Sequence, residues 1–106
     1  MTKLTDLDAT FVRLTDPERG DFQEVEASAD AQGVMFDCPK CGAHSIICWS
    51  SSRGVPDHVG PKPGRWRLDG TGLHDLTLNE EPGKSRSVLL TAGCKWHGFV
   101  TNGDAT

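Results

Sequence analysis

No apolar run in this chain approaches the roughly 20 residues that a membrane-crossing helix needs, which argues against a helical membrane anchor. The opening stretch MTKLTDLDAT lacks the apolar core of a secretory signal. The expected location is therefore the cytoplasm, with no membrane as partner. Apolar residues are also scarce, at 36% of 106 positions, while Gly (12) and Pro (6) are plentiful. That balance is too lean for a helical bundle and fits a turn-rich small domain. An overall basic surface is missing too. Residues 1–32 carry three basic residues (Lys3, Arg13, Arg19) against eight acidic ones, and the remainder carries eight basic against seven acidic. A general electrostatic grip on nucleic acid needs the opposite balance. A phosphate-cradling loop is absent as well: glycines 60, 64, 70 and 72 do not link a strand to a helix.

What is present reads as short β-strands broken by turns. ATFVRL (9–14) and DFQEVEA (21–27) flank the turn TDPERGD. SADAQG (28–33) suits one helical turn, with Ser28 as cap and Gly33 as stop. VMFDC (34–38) and HSIICWS (44–50) flank CPKCGA and can form a hairpin, with Ile47 and Trp49 on one face and Ile46 and Cys48 on the other. RWRLDG (65–70) and HDLTLN (74–79) alternate like half-buried strands, Trp66 and Leu68 sharing one face and Leu76 and Leu78 another. EEPGKSR (80–86) reads as a turn and SVLLTAG (87–93) as a strand. HGFVTNGD (97–104) runs through a strand into an Asn-Gly turn. Between the two halves lies SSRGVPDHVGPKPGR (51–65), a Gly/Pro-rich loop of the length that is often functional. The expected fold is a mainly β, zinc-ribbon-like single domain over 1–106 with little helix. Its parts are an acidic N-terminal stretch (1–32) and a zinc-binding β core (33–105) that carries the long loop.

Four cysteines in a reducing compartment point to metal rather than disulfides. CPKCG (38–42) is a C-x-x-C turn followed by glycine. Two thiolates at that spacing grip one tetrahedral Zn²⁺, Pro39 preorganises the turn, and Gly42 can take the positive φ at its end. Such a turn supplies two of four ligands. CKWHG (94–98) offers the other two at the same spacing, again with glycine behind them. The expected site is Cys38, Cys41, Cys94 and His97, with His44 and Cys48 as alternatives for a place in the set. A redox C-x-x-C usually opens a helix, and no long helix is expected after Cys41. Three thiolates and a histidine close the coordination sphere, so the zinc would be structural and its binding energy would be folding energy.

No catalytic constellation is evident. SSS (50–52) has no base near it in sequence, and Asp57 with His58 is a weak pair in the loop. Arg53, Arg65, Trp66 and Arg67 gather at the long loop as a possible binding surface for single-stranded nucleic acid. The competing expectation places the tryptophans in the core.

The runs GVMFDCPKCGAHSIICW, GPKPGRWRLDGTGLHDLTL and GCKWHGFVTNGDA resemble a family of small phage and prophage zinc-binding proteins of unknown function, whose members often carry an ammonia monooxygenase label. The resemblance covers residues 33–105. It implies a pair of cysteine-containing turns, a phage or prophage origin and so a bacterial host cell, but no activity. Family members read Pro-Ser after LTL, where this chain has Asn79-Glu80-Glu81. The label itself implies a membrane-bound copper enzyme, and a thiolate-rich quartet suits zinc better. The expectation is a non-enzymatic accessory protein that binds a phage or host protein. A nucleic-acid-binding zinc-ribbon module is the alternative, and a small zinc-dependent enzyme the third reading.

Overall fold

Short alternating segments separated by Gly, Pro and Asx turns favour antiparallel pairing, and every ladder among the described residues is antiparallel. The computed structural model describes residues 2–61, 64–81, 86–89 and 95–106. The strands in chain order are β1 (Thr2–Lys3), β2 (Thr10–Asp16), β3 (Asp21–Val25), β4 (Gly33–Asp37), β5 (Ser45–Trp49), β6 (Trp66–Asp69), β7 (Thr77–Glu80), β8 (Val88–Leu89), β9 (His97–Gly98), β10 (Val100–Thr101) and β11 (Asp104–Ala105). Helix among the described residues is limited to single 3₁₀ turns at Leu4–Asp6, Ser28–Asp30 and Ser51–Arg53. The mainly β expectation holds. No helix among the described residues is long and apolar enough to cross a membrane.

The largest sheet has the order β3-β2-β4-β5, entirely antiparallel. Strands β2, β4 and β5 place alternate residues on two apolar faces. Phe11, Val34, Phe36, Ile46 and Cys48 enter the main core, where Leu68, Leu76, Leu78, Trp66, Trp96 and Val100 meet them. Val12 and Trp49 face the opposite way and are covered by Val55 and Val59 of the long loop. The face assignment of Ile46, Ile47, Cys48 and Trp49 is as the alternation implies. Burial of each large side chain contributes about 1.5–3 kcal/mol, so the loop that covers Trp49 is part of the core.

Several local expectations are corrected. The first 32 residues are integral to the fold, because β2 lies between β3 and β4 and Leu4, Phe11 and Val12 are buried. Ser28 lies inside its 3₁₀ turn, whose N-cap is Ala27 with no side-chain cap bond. Gly33 does not stop a helix but opens β4. A Cβ there would sit 2.7 Å from both the Cys48 carbonyl oxygen and the Trp49 ring, so glycine is what lets β4 approach β5. Leu76 and Leu78 do not face away from Trp66 and Leu68: all four enter one core, with Leu68 opposite Leu78 in the β6–β7 ladder. The Asn102-Gly103 pair does form a two-residue hairpin turn between β10 and β11, with φ of 49° and 80°. Positive φ at both central residues matches the strand twist. Of the expected strand 87–93 and turn 80–86, residues 90–93 and 82–85 lie outside the described residues.

Candidate metal centre and the arginine-threaded loop

The β4–β5 hairpin ends in CPKCG. Asp37 pairs with Ser45, and the ladder closes one step further when the Cys38 amide donates to the His44 carbonyl at 2.8 Å. The chain then turns tightly enough for the Gly42 amide to reach the Cys38 carbonyl at 2.8 Å, and Gly42 takes a φ of 68°. A Cβ is strained there, so glycine follows the second cysteine for the reason the sequence suggests. The Ala43 amide points at Cys41 Sγ from 3.4 Å. Amide donors aimed at sulfur favour the thiolate, the form that binds metal. Cys38 is buried at the base of the turn and Cys41 is exposed at its tip.

His44 was only an alternative from sequence, yet its Nδ1 lies 3.1 Å from Cys41 Sγ. The C-x-x-C-x-x-H spacing folds that imidazole back onto the thiol. Cys48, the other alternative, points into the core from β5, and burial pushes its thiol pKa far upward. It behaves as a small apolar side chain.

The second half-site is described in part. Cys94 lies outside the described residues. His97 opens β9, is exposed, and stands opposite Leu89. Between them in sequence, Trp96 is buried against Phe36 edge-to-face, ring centroids 6.3 Å apart. Phe36 is two residues before Cys38 on β4. This contact brings the CKWHG segment against the strand that leads into CPKCG. Among the described residues, no three Cys, His, Asp or Glu side chains are gathered as a metal group.

The four residues expected to form a binding surface behave differently from one another. Arg67 is exposed on β6 and forms an ion pair with Asp69 at 3.1 Å. That pairing raises the Arg67 pKa and holds the Asp69 carboxyl below its ordinary range, with Asn79 assisting as a donor. Trp66 is buried and donates its indole N–H to the Arg86 carbonyl at 2.9 Å. Arg53 is half-buried and donates to the carbonyls of Ser28, Ala31 and Leu68, so it ties the Ser28–Asp30 turn to β6.

Arg65 is the largest correction. It is 2% exposed and threads the long loop. One guanidinium nitrogen donates to the carbonyls of Pro61 and Gly64, each at 2.9 Å. The other donates to Pro56 at 3.0 Å and Val59 at 2.7 Å. Burial lowers its pKa, and Asp57 opposes the shift. A Gly/Pro-rich loop has few amide partners for its own carbonyls, and a planar fork of five donors supplies them. Trp49 completes the closure by donating its indole N–H to the Gly60 carbonyl at 3.0 Å. With Arg65 and Trp66 inside, the four residues do not form one exposed face.

The SSS run does find a carboxylate, from far along the chain. Glu81 is buried, and one of its oxygens accepts from the hydroxyls of Ser50 (3.1 Å) and Ser52 (3.0 Å) and from the Ser52 amide at 3.3 Å. This is a bridge between the end of β7 and the start of the long loop. Glu81 therefore has a packing role in this chain. Comparison with protein-family models, with curated proteins and with solved structures gives no match.

Proposed function

We propose that the chain is a zinc-stabilised, zinc-ribbon-like binding module of phage or prophage origin. It acts on a protein partner of the phage or its host in the cytoplasm, and does so without catalysing a reaction. One structural Zn²⁺ is held by Cys38, Cys41, Cys94 and His97. The observation that supports this reading is the packing of Trp96, one residue before His97, on Phe36, two residues before Cys38. The turn supports it independently: Gly42 in left-handed backbone and an amide donor on Cys41 Sγ suit a thiolate knuckle.

A closed thiolate-rich sphere would supply folding energy and hold both knuckles together, leaving no open position for a reacting water. Binding chemistry then belongs elsewhere on the surface. The nucleic-acid alternative rested on Arg53, Arg65, Trp66 and Arg67, and most of these are committed to internal hydrogen bonds. Affinity capture from an infected host, with the full chain as bait, tests the reading. Saturable recovery of one protein, lost with an unfolded Cys41→Ser bait, is the expected result. Repeated failure, together with salt-sensitive binding of labelled single-stranded DNA, would overturn it.

A further inference from the structure

The β2–β3 hairpin carries an open groove of about 400 Å³. Its apolar lining comes from Ala9, Phe11, Val25 and Leu73, and its acidic lining from Glu24 and Glu26; among the described residues no Lys, Arg or His lines it. β3 is one of the two outer strands of the four-stranded sheet and, among the described residues, pairs with β2 alone. Among those residues, no strand pairs with the other side of its backbone. Phe22, on the same strand, is 37% exposed and packs edge-to-face on Trp49, centroids 5.7 Å apart. Residues 1–32 hold eight acidic and three basic residues, net −5.

We infer that the β3 edge is a docking site for an extended segment of a partner protein that alternates basic with apolar residues, its apolar side chains on the face of Val25 and Phe11 and its cationic side chains on the opposite face beside Glu24. This inference rests on the binding-module reading and names the partner's chemistry. An open strand edge recruits an extended peptide through main-chain hydrogen bonds, and side-chain pockets choose its sequence. Side chains of a strand alternate between its two faces, so such a segment sets its apolar residues beside Val25, which pairs with Phe11, and its lysine or arginine residues beside Glu24, which pairs with Val12. Charge complementarity selects the occupant further. A second copy would bring another acidic strand against the first, and like charges oppose that pairing. A cationic strand gains attraction, faster encounter and a strong salt dependence from the same charges.

The test uses the full-length chain and two synthetic peptides, one alternating lysine with valine and the other alternating glutamate with valine. Binding is read by amide chemical shifts and by fluorescence anisotropy. The lysine peptide should perturb amides at residues 9–11, 21–26 and 73. Its affinity should fall about tenfold or more in the double variant Glu24→Lys, Glu26→Lys, as expected for charges at a contact, and should weaken with added salt. The glutamate peptide should not bind. Glu18→Lys, an exposed charge change at the hairpin turn and outside the groove, should leave affinity unchanged. Equal losses from Glu18→Lys and from the double variant would overturn the site, as would absence of lysine-peptide binding at low salt. Shifts confined to another face would overturn the β3 site while leaving the binding-module reading intact. Failure of host capture, with the peptide bound at β3 as expected, would remove the module reading and leave the groove's chemistry standing.

Discussion

Replacing Arg65 with methionine removes the guanidinium while keeping much of its unbranched stem. Four carbonyls each lose a donor at once: Val59, Pro61, Gly64 and Pro56, the last of which keeps the Val59 amide. Hydrogen bonds from a charged donor contribute about 1.5–3 kcal/mol each, so simple addition would give an implausibly large total. Two effects reduce it. The buried guanidinium carries a desolvation cost, which is why its pKa is lowered, and the variant does not bear that cost. The freed carbonyls also regain water as the loop opens. A net destabilisation of about 3 kcal/mol is the outcome we expect, within the range for breaking a buried polar network. For a domain of this size that is a drop in Tm of about 12–24 °C. Arg65→Lys keeps the charge but not the fork, and should lose about half as much. Urea unfolding followed by circular dichroism gives ΔG, and hydrogen exchange at Val59, whose amide bonds to the Pro56 carbonyl, gives the local opening. Arg65→Met within about 0.5 kcal/mol of wild type, the range of ordinary surface substitutions, would refute the claim that this residue organises the loop.

Glu81→Ala strips the acceptor from the Ser50 and Ser52 hydroxyls and the Ser52 amide, and should cost about 2 kcal/mol by urea unfolding, whereas Glu81→Gln, which keeps an oxygen, should cost clearly less. Asp75 accepts from the Gly72 and Thr71 amides and the Thr71 hydroxyl, which hold its carboxyl below the usual range. A depressed folded-state pKa means the unfolded chain takes up its proton first, so this contribution is present above the ordinary carboxylate pKa of about 3.9 and is lost as pH falls. The Tm gap between wild type and Asp75→Asn should therefore shrink between about pH 6 and about pH 3, spanning that carboxylate range; a gap that stays constant would contradict the assignment.

The strands were legible because their signals are local. Alternation fixed the two faces of β5, and the Asn102-Gly103 dipeptide announced its hairpin through φ values that few other residues tolerate. The C-x-x-C turn was legible for the same reason, since Gly42 occupies the left-handed backbone it is suited to. The misses at Glu81 and Arg65 depend on direction and on partners that no local pattern marks. Glu81 meets the serines of the loop across 29 to 31 residues, and no local pattern marks that meeting. Arg65 and Trp66 looked like a basic-aromatic surface because sequence shows residue type and not direction. A physical signal for Arg65 was available. Its loop has three prolines and three glycines, hence many carbonyls and few strand partners, and such a loop needs a donor-rich side chain to satisfy it. His44 is a local case: an alternative ligand by its spacing, it is folded by the turn to within 3.1 Å of Cys41 Sγ.

The account turns on whether zinc joins the two knuckles. The most direct measurement is the metal content of the purified full-length chain, taken together with its circular dichroism before and after a strong chelator. The expected result is one zinc per chain, loss of the folded spectrum on chelation, and loss of both metal and fold in Cys94→Ser or His97→Ala. A chain that carries no zinc, or that keeps its folded spectrum when stripped of metal, would contradict the account.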